Sequence, residues 1–129
     1  MNTIKYLALF FLTLGIGWAA GTYGVQAIQG IFASQQVEKG DYASYGVTAQ
    51  TPIKLYTTQW CPFCKKATQY LSQRSIEFIN VDIEQDPEAL KEFEALGGEV
   101  LPIILVSDGL IRGFNEAALE AQLKSNNLL

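Results

Sequence analysis

The sequence predicts an α/β domain of order β-α-β-α-β-β-α, a four-stranded mixed sheet with helices on both faces, preceded by one N-terminal hydrophobic helix. Three observations predict it. Beyond Pro52 the hydrophobic period switches between two and about 3.6 residues, as alternating strands and helices require. From Tyr6 to Val37 there is no Asp, Glu, Lys or Arg, so the chain of 129 residues joins an apolar N-terminus to a charged remainder. Cys61 and Cys64 fall where the first predicted strand gives way to the first predicted helix.

The run from Tyr6 to Val25 supplies the roughly 20 apolar residues that a helix needs to cross a bilayer. Thr13, Thr22 and Tyr23 are tolerable polar guests, and no polar face interrupts the run. Residues 1–33 are therefore expected to form a single-pass membrane anchor. The rival is a cleaved secretory signal, with Gly17-Trp18-Ala19 or Val25-Gln26-Ala27 as the cut site. The apolar run continues past the first site, and the second lies far along for a signal, so the uncleaved anchor is preferred. Lys5 keeps the amino terminus on the cytoplasmic side, which puts the rest of the chain on the other side, periplasmic in a bacterium. Gly17-x-x-x-Gly21 and Ala20-x-x-x-Gly24 would let two such helices approach closely, although Gly and Ala are common in membrane helices anyway. Residues 34–51 are polar, carry two glycines and show no sustained apolar period, so they read as a linker.

The domain itself is expected over 52–129. Ile53 to Thr57 alternates with period two and reads as a strand. Pro62 suits the first turn of a helix running to Arg74, with Ala67, Tyr70 and Leu71 on one face. Glu77 to Ile83 reads as a second strand. Asp86-Pro87 starts a second helix with the apolar stripe Ala89, Leu90, Phe93 and Leu96, ended by Gly97. Ile103 to Val106 is a short continuous apolar run, expected as a buried strand. Ser107-Asp108-Gly109 turns it into the hairpin partner Leu110-Ile111-Arg112. Asn115 caps a last helix carrying Ala118, Leu119 and Leu123. The β-α-β start implies a parallel crossover, and the hairpin adds antiparallel strands.

Composition narrows the function classes. A net charge of −4 without clustered Lys and Arg argues against nucleic acid as a partner. With two cysteines and no histidine, one chain cannot assemble an ordinary four-ligand zinc site, so no metal site is expected. Two cysteines three apart close too small a loop to stabilise a fold much. A Cys-x-x-Cys pair is then either redox-active or inert.

The element order, with Cys61-Pro62-Phe63-Cys64 between the first strand and helix, resembles the thioredoxin-like fold in its glutaredoxin form. The resemblance covers 52–129 and rests on four landmarks in order: Tyr56-Thr57-Thr58-Gln59-Trp60 leading into the cysteines, Val81-Asp82-Ile83, Val100-Leu101-Pro102, and Gly113-Phe114-Asn115-Glu116. It implies a thiol–disulfide oxidoreductase with no bound cofactor. Cys61 and Cys64 would be catalytic. Gln59, Trp60, Phe63, Val100, Leu101, Pro102, Gly113, Phe114 and Asn115 would contact substrate or glutathione, and Pro102 matches the family's cis-proline.

The chemistry of the pair is consistent with that role. The nucleophile in disulfide exchange is a thiolate. Cys61, at a helix start, would meet free N–H groups and the positive end of the helix, and Lys65 lies four residues on. Cys61 is expected to attack and Cys64, a turn deeper and less exposed, to resolve the mixed disulfide.

Three positions depart from glutathione-using members. Thr58 stands where they commonly carry a lysine, Leu101 where they carry a threonine, and Phe114-Asn115 where they carry glycine and an acidic residue. Glutathione is therefore a candidate co-substrate rather than a required one. The Gly113-Phe114 pair also looks like the subgroup reduced by thioredoxin reductase. Expected partners are a disulfide-containing protein or glutathione mixed disulfide, a reductant of either type, and a membrane. The rival functions are a tethered thioredoxin-fold binding module without turnover and a thiol-based copper-handling protein.

Overall fold

The structure is a computed structural model that describes residues 4–7 and 37–129. The chain divides into two units, Met1–Phe32 and Ala33–Leu129. In the first, residues 4–7 are helical and exposed. The expected membrane span, its cleavage alternative and the small-residue motifs otherwise lie outside the described residues. Among the described residues, no helix is long and apolar enough to cross a membrane.

The second unit carries β1 (Val37–Lys39), a 3-10 turn (Ala43–Tyr45), β2 (Ile53–Thr57), α1 (Pro62–Gln73), β3 (Ile79–Asp82), α2 (Pro87–Ala95), β4 (Ile103–Val106), β5 (Gly109–Arg112) and α3 (Glu116–Ser125). The strands form one sheet in the order β1-β5-β4-β2-β3. β2 and β3 run parallel, and every other pairing is antiparallel.

The expected order from β2 to α3 is present, but the sheet has five strands, not four. The fifth is β1, inside the segment expected to be a linker. Its three residues pair with β5, Val37 opposite Ile111 and Lys39 opposite Gly109. A three-residue edge strand with Glu38 and Lys39 is too short and too polar to show a period. Arg112 of β5 also holds it, Nη1 donating to Glu38 Oε2. Tyr42 and Val47, further along the same segment, are buried in the core.

Two hydrophobic layers sandwich the sheet, and strand alternation assigns residues to each. On one face Ile53, Leu55, Ile104, Val106 and Ile111 meet Ala67, Tyr70 and Leu71 of α1 and Leu119 and Leu123 of α3. On the other, Tyr56, Ile103, Leu105 and Leu110 meet Ala89 and Phe93 of α2, Leu96, and Tyr42 and Val47. The unbroken apolar run of β4 is thus a period-two pattern with both faces buried. Leu90 departs from its expected place in the α2 stripe, being 39% exposed.

Helix starts follow the expected chemistry. Pro62 and Pro87 occupy first turns, where a missing N–H costs nothing. Asp86 Oδ1 accepts from the N–H groups of Glu88 (2.9 Å) and Ala89 (3.3 Å), and Asn115 Oδ1 from that of Ala118 (3.0 Å). Past α2, Gly97 takes φ +71°, a left-handed conformation that favours glycine.

A polar clamp ties α2 to the sheet. Glu92 Oε2 accepts from Lys54 Nζ (2.6 Å) and from Tyr56 Oη (2.7 Å), and Lys54 also donates to the Tyr45 carbonyl (3.0 Å). Burial, and then the bond to Glu92, raise the Tyr56 phenol far above its ordinary pKa, so it stays a donor. Removing Glu92 leaves a largely buried ammonium and a buried hydroxyl short of an acceptor. Glu92→Ala is expected to cost about 2 kcal/mol in denaturant unfolding, and disulfide turnover below the melting transition is expected to persist.

Candidate active site

Strand register decides which residues share the active end of the sheet. Thr57, the last residue of β2, lies opposite Asp82 at the end of β3, and Tyr56 lies opposite Ile103 at the start of β4. Ile103 in turn pairs with Arg112 at the end of β5. The loops after β2, β3 and β5 and the loop before β4 therefore emerge together. They hold Thr58–Cys61, Ile83–Asp86, Gly113–Asn115 and Val100–Pro102.

Cys61 is the N-cap residue of α1, in extended conformation, and Cys64 sits one turn in. The two are joined as a disulfide with Cα atoms 5.3 Å apart. The Cys64 N–H donates to Cys61 Sγ at 3.2 Å, and the Lys65 N–H donates to the Cys61 carbonyl at 3.3 Å. The loop ahead is closed by the Cys61 N–H donating to the Thr58 carbonyl. Cys61 is 3% exposed and Cys64 2%, so exposure does not separate their roles as expected. Hydrogen bonding does: the sulfur of Cys61 occupies the place of a capping oxygen, where the free N–H groups of the first turn and the helix dipole favour negative charge. That asymmetry sets the first-turn donors of α1 at the Cys61 sulfur.

The other expected site residues fall into two sets. Beside the cysteines, Trp60 is 67% exposed and its indole Nε1 donates to Glu84 Oε1 at 2.9 Å. Phe63 is half exposed, with Lys66 Nζ 5.5 Å from its ring centroid. Gln59 lines a polar cleft of about 200 Å³ that reaches Cys64 and is also walled by Thr58, Lys65, Asn80 and Asp82. In the second set the Leu101–Pro102 bond is cis, and the Pro102 carbonyl accepts from the Gly113 N–H at 2.7 Å. This bond joins the loop before β4 to the loop after β5. Gly113 takes φ +76°, and a Cβ placed there would lie 3.6 Å from Val100 Cγ1. Val100 is half exposed, while Leu101 is partly buried against the α2-side core.

Two of the expected contacts have other work in the fold. Phe114 packs edge-on against Tyr70 of α1, ring centroids 6.2 Å apart. The Asn115 side-chain oxygen caps α3. Thr58 is 5% exposed, and its Oγ1 has no hydrogen-bond partner among the described residues. Sequence reasoning missed Glu84, Asn80 and Asp82. They reach the site only through the parallel pairing of β2 with β3, and polar residues at a strand end and in the loop after it carry no local signal of that. Among the described residues, no group of three or more His, Cys, Asp or Glu side chains could hold a metal ion.

Comparison with known proteins matches the geometry. The family model described as Glutaredoxin matches residues 53–111, from the start of β2 into β5. The chain is 35% identical over 69 residues to an uncharacterized glutaredoxin-like 8.6 kDa protein in the rubredoxin operon of Clostridium pasteurianum, covering 53% of this chain and 92% of that protein. It is 31% identical over 80 residues to a glutaredoxin of Pseudomonas aeruginosa, covering 60% of this chain and 95% of that one. Among solved structures, a glutaredoxin from Archaeoglobus fulgidus superimposes with a TM-score of 0.52 at 22% identity, over 59% of this chain and 89% of the other, a likeness of fold.

Proposed function

This chain belongs to the glutaredoxin family, and we propose that it reduces protein or glutathione mixed disulfides through Cys61 and Cys64 while tethered to a membrane. It is a thiol–disulfide oxidoreductase, and glutaredoxins need no prosthetic group. The observation that carries the assignment of roles is the Cys64 N–H donating to Cys61 Sγ at the start of α1.

The Cys61 thiolate attacks one sulfur of the substrate disulfide. A Cys61–substrate bond forms as the old bond breaks, and the departing sulfur leaves with the electron pair and takes up a proton. Cys64, giving up its proton, then attacks Cys61 Sγ. The Cys61–Cys64 bond forms, and the second substrate sulfur leaves and is protonated. Two electrons have passed to the substrate, and an external thiol reductant restores the dithiol. The oxidised pair is the end state of that half-cycle.

The electron donor is glutathione or a thioredoxin reductase-type protein. Three features weigh against a strong glutathione site: the buried Thr58 in place of a lysine, Asn115 engaged in capping, and Phe114 turned onto Tyr70. The tether rests on the uncharged run from Tyr6 to Val37, and the single Lys5 before that run supports a domain on the non-cytoplasmic side. There the surroundings are oxidising, and a donor that delivers electrons across or along the membrane is needed.

The test follows NADPH consumption by the full chain in detergent with a small disulfide. One reaction supplies glutathione with glutathione reductase, the other thioredoxin reductase alone. Turnover in either supports a reductase and names its donor, while silence in both, with titratable thiols, counts against both donors. A chain that stays with membranes after an alkaline carbonate wash supports the tether, and release into the supernatant overturns it.

A further inference from the structure

Trp60 is 67% exposed, next to the nucleophile. One exposed ring by itself is ordinary; what distinguishes this one is that it is fixed. The ring is held: its Nε1 donates to Glu84 Oε1 at 2.9 Å, across 24 residues of sequence. The acceptor is built into a hydrogen-bonded turn. The Glu84 N–H donates to Asp82 Oδ1 (2.9 Å), and the N–H groups of Gln85 and Asp86 donate to the Asp82 carbonyl (3.1 and 2.9 Å). Asp82 is fixed by its place opposite Thr57 in the sheet. A rigid turn on one strand thus presents a carboxylate to a side chain carried by the loop of another, and a charged acceptor makes that bond a strong one.

We propose that Glu84 is a positioning residue for substrate recognition, fixing the Trp60 indole as an apolar platform beside Cys61 that selects disulfides flanked by apolar residues in a polypeptide. The inference rests on the oxidoreductase reading and adds the substrate class. Phe63 and Val100, each half exposed, are further large apolar side chains at the same end of the sheet. With Trp60 they come from two segments, the stretch around Cys61 and the loop before β4, that the register brings to one end of the sheet, as a docking rim requires. The occupant is a peptide segment rather than glutathione. The tripeptide offers two carboxylates and no large apolar group, and the Glu84 carboxylate repels anions.

The test uses the full chain with two synthetic peptide disulfides, one with Phe and Leu beside the cysteine and one with Ser at both positions. The apolar peptide is expected to be favoured by about tenfold in kcat/KM. Glu84→Ala frees the indole and is expected to raise KM for the apolar peptide about fivefold, moving KM more than kcat and leaving the Ser peptide's KM in place. Glu84→Gln, whose amide oxygen still accepts from Nε1, is expected to restore KM to within about twofold of the wild type. An unchanged KM in Glu84→Ala, or a Glu84→Gln as impaired as Glu84→Ala, overturns the inference. Turnover of both peptides without preference overturns it alone, whereas failure of the pre-reduced chain to cleave either peptide overturns the oxidoreductase reading with it.

Discussion

Cys61→Ser is expected to lower disulfide turnover by about a thousandfold or more, the scale on which loss of a covalent nucleophile acts. Serine keeps the size and the N-cap hydrogen bond of Cys61 but cannot form a mixed disulfide, so the variant should fold and fail. Cys64→Ser is expected to behave differently. It still attacks, because Cys61 keeps its helix-terminal environment, but the mixed disulfide persists and shows in intact-mass spectra as the chain plus one substrate thiol. A binding module without turnover would capture its partner as well with Cys61→Ser as with the wild type. A copper-handling protein would need both sulfurs equally for metal and neither for disulfide reduction.

Leu55→Ala should give the largest loss of stability. Leu55 is fully buried in β2, between Ile104 of β4 and Asn80 of β3, and packs into the layer that holds Ala67 and Leu71 of α1. Truncation there removes transfer free energy and opens a cavity against well-packed neighbours, costing about 3 kcal/mol. For a domain of this size that lowers the melting midpoint by roughly 10 °C or more. Because β2 runs straight into Cys61, activity should disappear along the same melting curve. Leu90→Ala on the outer side of α2, where the leucine is 39% exposed, is expected to change stability by only about 0.5 kcal/mol. Denaturant unfolding of the two variants side by side checks the contrast.

Sequence pattern disclosed the parts whose signals are local. The alternation of Ile53 to Thr57, the Asp86-Pro87 and Asn115 helix starts, and the Ser107-Asp108-Gly109 turn each depend on a few adjacent residues, and each stands where expected. β1 was not legible. It is stabilised by pairing with β5 and by Arg112 reaching Glu38, contacts across 74 residues that leave no period in three. Phe114 and Asn115 were readable by position as binding residues, yet Phe114 faces Tyr70 and the Asn115 oxygen faces the α3 N-terminus. At the site, Cys61 and Cys64 announce themselves by spacing. Glu84 does not, since its partnership with Trp60 exists only once β3 lies beside β2.

The most direct test of the central claim, that Cys61 is the activated nucleophile, is limited alkylation of the fully reduced full chain. Iodoacetamide below one equivalent at pH 7, followed by peptide mapping, reports which thiolate reacts first. Cys61 is expected to be modified at least about tenfold faster than Cys64, since its sulfur alone takes the N-cap position of α1. Equal rates, or faster reaction at Cys64, would contradict the assignment of roles to the pair.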